Sequence, residues 1–460
     1  MSFSAHIAEQ RFGYGLSGHL APVQSVAQML EGVSGPDQMA TQFPLPSFGY
    51  IQKQGARRIS LIKSSRENAG TEKGKDEEDK ALEVLKKVRR ERAAWFTQSQ
   101  LRQIHTQTAF RERLVAFWSD HFTAVGKGQL FQFAEALYSY DAVRPHIAGS
   151  FGDLLVSCVT HPMMLHYLGQ DISAGPNSNF AKRRGRGRGL NENLAREVLE
   201  LHTLGVGGPY DQQDVRSLAR LFTGMSRGPD LRFLFRGGFV EPGQHVVLGK
   251  SYGGRPAMPR IRSALQDLAL HPATAAHISR KLAVHFVADT PPPALVEDLT
   301  AAYLRTDGQL MALYEVLLNH PEAWSTPPTN IRPPVEFVAT AMRALSIPPA
   351  KLEALKARQV NRYFFGPLRV MGQFWKKPSG PDGWEEADAA WITPQGVAGR
   401  IEWAMRTPKN LMRILPDPRD FVRTALGENA PERVAFAANA AETRAEAIGL
   451  VLLSPAFQRR

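Results

Sequence analysis

Asn193, Glu197 and Glu200 recur at i, i+4 and i+7 in the run LNENLAREVLELHTLG, so a helix there stacks one amide and two carboxylates on a single face. Two carboxylates one turn apart suit three kinds of chemistry: binding a cation, holding an arginine, or acting as general acid and base once burial raises one pKa. In the catalytic reading Asn191 or Asn193 orients a substrate and Arg196 clamps a carboxylate or phosphate. The competing reading is a solvated face neutralised by Arg196, because most charged side chains stay in water. His202 points roughly opposite Glu200, so Glu-x-His is not a helical metal pair, whose ligands need i, i+3 or i, i+4 spacing. A hydrogen-bonded core histidine is the expectation at that position.

The segment before this helix has the opposite character. Lys182, Arg183, Arg184, Arg186 and Arg188 alternate with Gly185, Gly187 and Gly189, which predicts a mobile cationic loop over residues 175–190. Arg186 and Arg188 would then close over an anionic ligand or partner held beside the carboxylate helix, with His202 and His121 as further candidate contacts. Asn191 is the expected N-cap with Glu192 in the first turn, and Gly205, Gly207, Gly208 and Pro209 stop the helix near Leu204.

These groups must be positioned by helices. Apolar spacing is helical almost throughout, which predicts a mainly α protein: an array of packed helical hairpins over residues 1–460, with residues 1–43 as a helical lead-in and at most a small β-hairpin. RRISLIKS from Arg57 is the one strand-like piece of its region. LRFLFRGGFV and QHVVLGKSY form the expected hairpin with Gly237 and Gly238 at its turn, and KKPSGPDGW from Lys376 reads as a surface loop. Apolar helices repeatedly end in a polar residue and a proline, at His161-Pro162, His271-Pro272, His320-Pro321 and Ser454-Pro455. Proline disfavours helix before it and suits the first turn after it, so these are joints, and three histidines leave the pool of candidate ligands. Asp120 or Glu112 could orient His121, or the ring packs beside Phe122. His277 and His285 share a basic face with Arg280 and Lys281.

Composition narrows the classes. The 460 residues are 43% hydrophobic with a mean hydropathy of −0.27, and no apolar run reaches membrane-spanning length. The N-terminus lacks a basic stretch followed by an apolar core, so the expected location is cytoplasmic. The single cysteine, Cys158, lies in an apolar run and reads as an inert buried thiol. A net charge of +12 would draw in polyanions, yet the basic segments lack interleaved aromatics or a nucleic-acid motif, so nucleic acid is an unlikely partner. No metal, phosphate-loop, dinucleotide or nucleophile-elbow pattern occurs, and no cofactor is specified.

The run RGRGLNENLAREVLELHTLGVGGPYDQQDVRSLARLFTG resembles the signature of the domain-of-unknown-function 1800 family of bacterial proteins. FRERLVAFWSDHF, GDLLVSCVTHPMMLHYLG, LALHPATAAHISRKLAVHFVADTPP, PVEFVATAMRALS and VLLSPAFQRR are similar to further family blocks, so the resemblance covers nearly the whole chain. There are departures. Met225 stands where a tryptophan is common, Val240 replaces the histidine of a His-Glu-Pro-Gly pattern, and Ser119 replaces a frequent histidine. If those histidines bind metal in relatives, this chain lacks two ligands. The resemblance implies no particular reaction. Family members are often encoded beside a secreted sulfatase-like family, which implies such an exported protein as partner and, as the alternative location, co-export to the periplasm.

Overall fold

The proline joints act as helix caps. In the computed structural model, which describes residues 3–184, 189–254, 258–325, 328–428 and 430–460, an imidazole does at three joints what serine or aspartate usually does. His161 Nδ1 accepts the Met163 N–H at 3.1 Å, His271 Nδ1 that of Ala273 at 3.1 Å, and His320 Nδ1 that of Glu322 at 3.3 Å. Ser454 Oγ caps the last joint, accepting from Phe457 at 3.3 Å. Each accepting Nδ1 must be unprotonated, and burial pushes the His161 imidazolium down to about 3.

The architecture is mainly α, as the periodicity predicts, with 65% of the residues helical. Helix α1 (Gly49–Glu67) and the long α2 (Glu72–His105) pack along each other as a hairpin, joined at Gly70 with φ +84° and capped by Thr71, which accepts the Gly74 N–H at 3.2 Å. RRISLIKS lies inside α1, not in a strand, because pairing with α2 outweighs a short local alternation. The charged half of α2 carries the expected surface pairs, such as Lys80 with Asp76 at 2.6 Å.

Helix α3 (Ala109–His121) is the centre of the molecule. Phe110, Leu114, Phe117 and Trp118 are buried, and so are Arg111, Glu112, Arg113, Ser119 and His121 on its other faces. A helix buried nearly all round must satisfy its charges with other buried groups. Around it lie α4 (Glu135–Tyr138, continuing into a π-turn over Ser139–Val143), α5 (Phe151–Val159), α6 (Asn193–Glu197, continuing into a π-turn over Val198–Thr203) and α7 (Gln212–Phe222). Then come α8 (Met258–Ala269), α9 (Pro272–Phe286), α10 (Pro293–Arg305), α11 (Leu310–Asn319), α12 (Pro334–Ala344) and α13 (Pro394–Leu411). Neighbours in the chain pack as hairpins, α9 on α10 and α10 on α11, while α5 packs on α8. A contiguous apolar cluster runs from Ala8 to Phe457 and includes Cys158, whose thiol burial holds well above its usual range. Among the described residues no helix is long and apolar enough to cross a membrane.

The expected hairpin is replaced by two. β1 (Met225–Arg227) pairs antiparallel with β2 (Phe233–Phe235), Met225 opposite Phe235; β3 (His245–Val247) pairs with β4 (Lys250–Tyr252), His245 opposite Tyr252. The second turn is Leu248-Gly249, both at positive φ (+50° and +75°), as the right-handed twist of the strands favours. Gly237 and Gly238 sit in a short 3₁₀ turn instead. Within the described part of the 175–190 segment, Asn179–Arg184 is helical, with the Phe180 ring 4.3 Å from that of Phe239. Arg186 and Arg188 lie outside the described residues.

Candidate functional site

The carboxylate helix is capped one residue later than expected. Asn191 is tied back, its N–H donated to Ser173 Oγ at 3.0 Å and its Oδ1 accepting the Asn193 N–H at 2.9 Å, so Glu192 takes the cap position. Asn193 is exposed, and Glu197 and Glu200 are half-buried. Burial and the neighbouring Glu200 raise the Glu197 carboxyl, Arg196 opposes this, and Asp382 adds to it. Arg196 donates to Gln212 Oε1 at 2.9 Å and lies 3.6 Å from Glu192, which also meets Arg216 at 3.2 Å. Glu192, not the stacked pair, takes up the nearby arginines.

The opposite side of this helix enters the core. His202 is fully buried, and neither ring nitrogen has a hydrogen-bond partner among the described residues, so it is a core histidine without the expected hydrogen bond. Burial, Lys281 and His277 hold its pKa near 3. His121 is oriented by neither Asp120 nor Glu112. Its Nε2 lies 3.2 Å from the His202 carbonyl, and its ring packs edge-on against Phe122 at 4.5 Å. Glu112 is engaged by Arg144, which also clamps Asp37 through two nitrogens. His277 Nε2 meets the Leu201 carbonyl at 3.2 Å. Among the described residues no group of three or more His, Cys, Asp or Glu could hold a metal.

The polar groups that converge on open space are elsewhere. A cavity of about 180 Å³ lies beside α3 and is lined by Arg113, Ser119 and Asp120 from that helix, Glu135 and Ser139 from α4 and its π-turn, His285 from α9, and Glu336 from α12. The segment 376–391 contributes Lys376, Pro378, Trp384, Glu386 and Trp391, and Arg460 closes one wall. The KKPSGPDGW patch is therefore not only a surface loop, since it forms part of the cavity wall. Spacing explains what α3 and α4 supply: Arg113 and Asp120 are two turns apart on one face, and Glu135 and Ser139 are one turn apart on another.

The cavity has two charged ends. At one, Glu336 pairs with Arg113, with Arg332 at 3.2 Å and with Arg460 at 3.5 Å, while His285 Nδ1 lies 2.8 Å from Glu386 and its Nε2 3.1 Å from Arg113. Burial would raise the Glu386 carboxyl, but His285, Lys281 and Arg113 together hold it below its usual range. Arg113 Nε is buried without a hydrogen-bond partner among the described residues. At the other end, both Asp120 oxygens accept the Trp384 N–H at 3.1 Å, and Glu135 lies 3.3 Å from Lys377. Burial raises Asp120 to about 7, with Glu386 adding to the effect, and raises Glu135 to about 7 against the pull of Lys377 and Arg92. Burial lowers the Lys376 ammonium to about 8. Three groups thus change charge near neutrality around one space, a property concentrated at functional sites.

Sequence alone misses most of this set. His285 stands out only as part of a basic helix face, and Ser119 only as a departure from a family pattern. Glu135, Ser139, Lys376 and Glu386 carry no local signal beyond a Trp-flanked acidic pair after a Pro and Gly-rich patch.

The helical array and the cavity lined by ionisable side chains among apolar ones define a large, mainly α protein. The family model described as "Protein of unknown function (DUF1800)" matches residues 8–459, and the chain belongs to that family. No curated protein and no solved structure matches it.

Proposed function

We propose that the protein binds a small polar molecule in the cavity beneath the 376–391 segment, and that this cavity is its working site. The observation that carries the reading is convergence: Asp120, Glu135 and His285, each from a different helix, meet Lys376 and Glu386 of the 376–391 segment at one space, with charges of both signs at both ends. Burying so many ionisable groups around a space costs stability, and a ligand that pairs with them offsets that cost. The volume is below the ~300–1,000 Å³ of drug-sized sites, so the ligand class is a metabolite-sized molecule carrying both donor and acceptor groups. The residues suit an organic ligand better than a metal, because arginine and lysine stand among the carboxylates. Thermal-shift titration across small zwitterions, polyols and short acyl compounds tests the reading. A binding compound raises the melting temperature in proportion to ln(1 + [L]/Kd), and the rise disappears in Ala116→Phe, which fills the cavity. A shift that survives Ala116→Phe contradicts it.

A second reading places the working groups on the carboxylate helix, with Glu197 and Glu200 as general acid and base and Asn193, Asn191 and Arg196 orienting an anionic ligand or partner under the Arg/Gly segment. The raised Glu197 carboxyl beside Glu200 and Asp382 favours it. Here Glu197→Gln abolishes function and leaves ligand stabilisation of the cavity intact.

A further inference from the structure

Ser139 and Lys376 stand in a relation that the binding reading does not need. Lys376 Nζ donates to Ser139 Oγ at 3.2 Å, Ser139 Oγ is hydrogen-bonded to Ser119 Oγ, and Ser119 Oγ donates to the Val115 carbonyl at 2.5 Å. Since a carbonyl only accepts, the Ser119 proton is committed to Val115, and Ser119 can only accept from Ser139. The relay therefore runs Lys376 to Ser139 to Ser119 to backbone. All three side chains line the cavity, and both serines are buried.

The backbone around the pair is unusual at both members. Ser139 opens a π-turn, an element that recurs at functional sites. Lys376 has φ +56°, a left-handed conformation that a non-glycine residue adopts at a cost, held here because Lys377 donates to the Gln132 carbonyl at 2.6 Å and pairs with Glu135. Strain at the residue that aims an amine into a cavity is the pattern of an enforced functional geometry.

We propose that Ser139 is a nucleophile and Lys376 its general base, acting on the acyl carbon of a small ester or amide bound in the cavity. This rests on the cavity being the binding site. Lysine takes a serine proton only when neutral, and the burial that brings its ammonium to about 8 makes the neutral form accessible in mildly alkaline solution. Once Lys376 is neutral and no longer donates, the Ser139 hydroxyl turns its proton from Ser119 Oγ to Lys376 Nζ; Ser139 Oγ then bonds to the acyl carbon as that proton passes to Lys376. The bond from carbon to the leaving oxygen or nitrogen then breaks, and Lys376 returns the proton to that leaving group. An ester remains on Ser139. Water adds to its carbonyl while giving a proton to Lys376; the carbon–Oγ bond breaks, and Ser139 recovers the proton. The sum is hydrolysis of one ester or amide to one acid and one alcohol or amine. Ser119 is a positioning residue that holds the Ser139 hydroxyl.

The test uses the full chain with two probes, a fluorophosphonate and p-nitrophenyl acetate. The fluorophosphonate is expected to label Ser139, located by peptide mass spectrometry, at a rate that rises as the pH passes through about 8. Ser139→Ala abolishes labelling, and Lys376→Met slows ester cleavage by about 100-fold or more. Ser119→Ala lowers kcat with little change in KM, and Ser119→Thr restores it. Should Ser139→Ala fail to fold, Ser139→Cys supplies the answer: iodoacetamide alkylates it faster than in the Ser139→Cys, Lys376→Met double variant. Labelling at another residue, or rates unchanged in Lys376→Met, overturns the proposal. Ligand stabilisation of an unlabelled protein overturns it while leaving the binding reading intact, whereas loss of both overturns the two together.

Discussion

The carboxylate helix and the cavity are both rich in ionisable groups, and they differ in how the fold uses them. On the helix, Asn193, Arg196, Glu197 and Glu200 are neighbours in the chain and are half-buried or exposed. In the cavity, Arg113, Asp120, Glu135, His285, Glu336, Lys376 and Glu386 span most of the chain and meet only because α3 is buried nearly all round. Polar density along a sequence reports a surface or a cap. Polar density in depth is made by tertiary packing, and each such group is costly unless it is answered.

The sharpest way to break this contrast is to remove one member of the cavity's ion network. Glu336→Ala leaves Arg113, Arg332 and Arg460 facing one another in the interior and is expected to cost about 3–5 kcal/mol in urea unfolding. A cost near zero would mean that the network is solvated.

Acid stability separates the regions next. The unfolded chain protonates His202 near 6.5, while the folded chain resists until about 3, so its contribution is intact above pH 6.5 and is lost as the pH falls toward 3. By pH 5 the loss is about 2 kcal/mol, and His202→Leu is expected to remove it from the pH profile of the denaturant midpoint. The cavity carboxyls act with the opposite sign. Asp120 and Glu135 titrate near 7 in the fold against 3.8 and 4.5 unfolded, so their contribution is full at low pH and is lost as the pH rises through 7. Asp120→Asn is therefore expected to raise the melting temperature most at pH 9, less at pH 5, and to leave it unchanged at pH 3.

The smallest effect belongs to the carboxylate helix. The double variant Glu197→Gln, Glu200→Gln is expected to change stability by no more than about 0.5 kcal/mol, because it relieves a repulsion and breaks no buried pair. A loss above 2 kcal/mol would make that face a structural ion network.

Devices that act between adjacent residues are legible in the sequence. The proline joints can be read because a polar residue and a proline sit side by side, whereas the capping by His161, His271 and His320 is shown only by the structure. The extent of the signature helix is legible from Gly205 and Gly207, both at positive φ. Its depth is not: His202 is buried without the expected hydrogen bond, which depends on what α3 and α9 place beside it. The β-hairpin falls elsewhere than the sequence suggests because Gly237-Gly238 is the stronger turn signal, while Leu248-Gly249 turns only with β3 packed on α7. Lys376 reads as surface because proline and glycine report backbone shape, and burial is decided by whatever lies opposite.

The central claim is that the cavity, not the carboxylate helix, holds the ligand. Native mass spectrometry of the protein purified from its own host, in three forms, tests it most directly. A small-molecule adduct present in the wild type and in the Glu197→Gln, Glu200→Gln double variant but absent from Ala116→Phe is the expected result. An adduct that persists in Ala116→Phe and disappears from the double variant would contradict the claim and move the site to the helix.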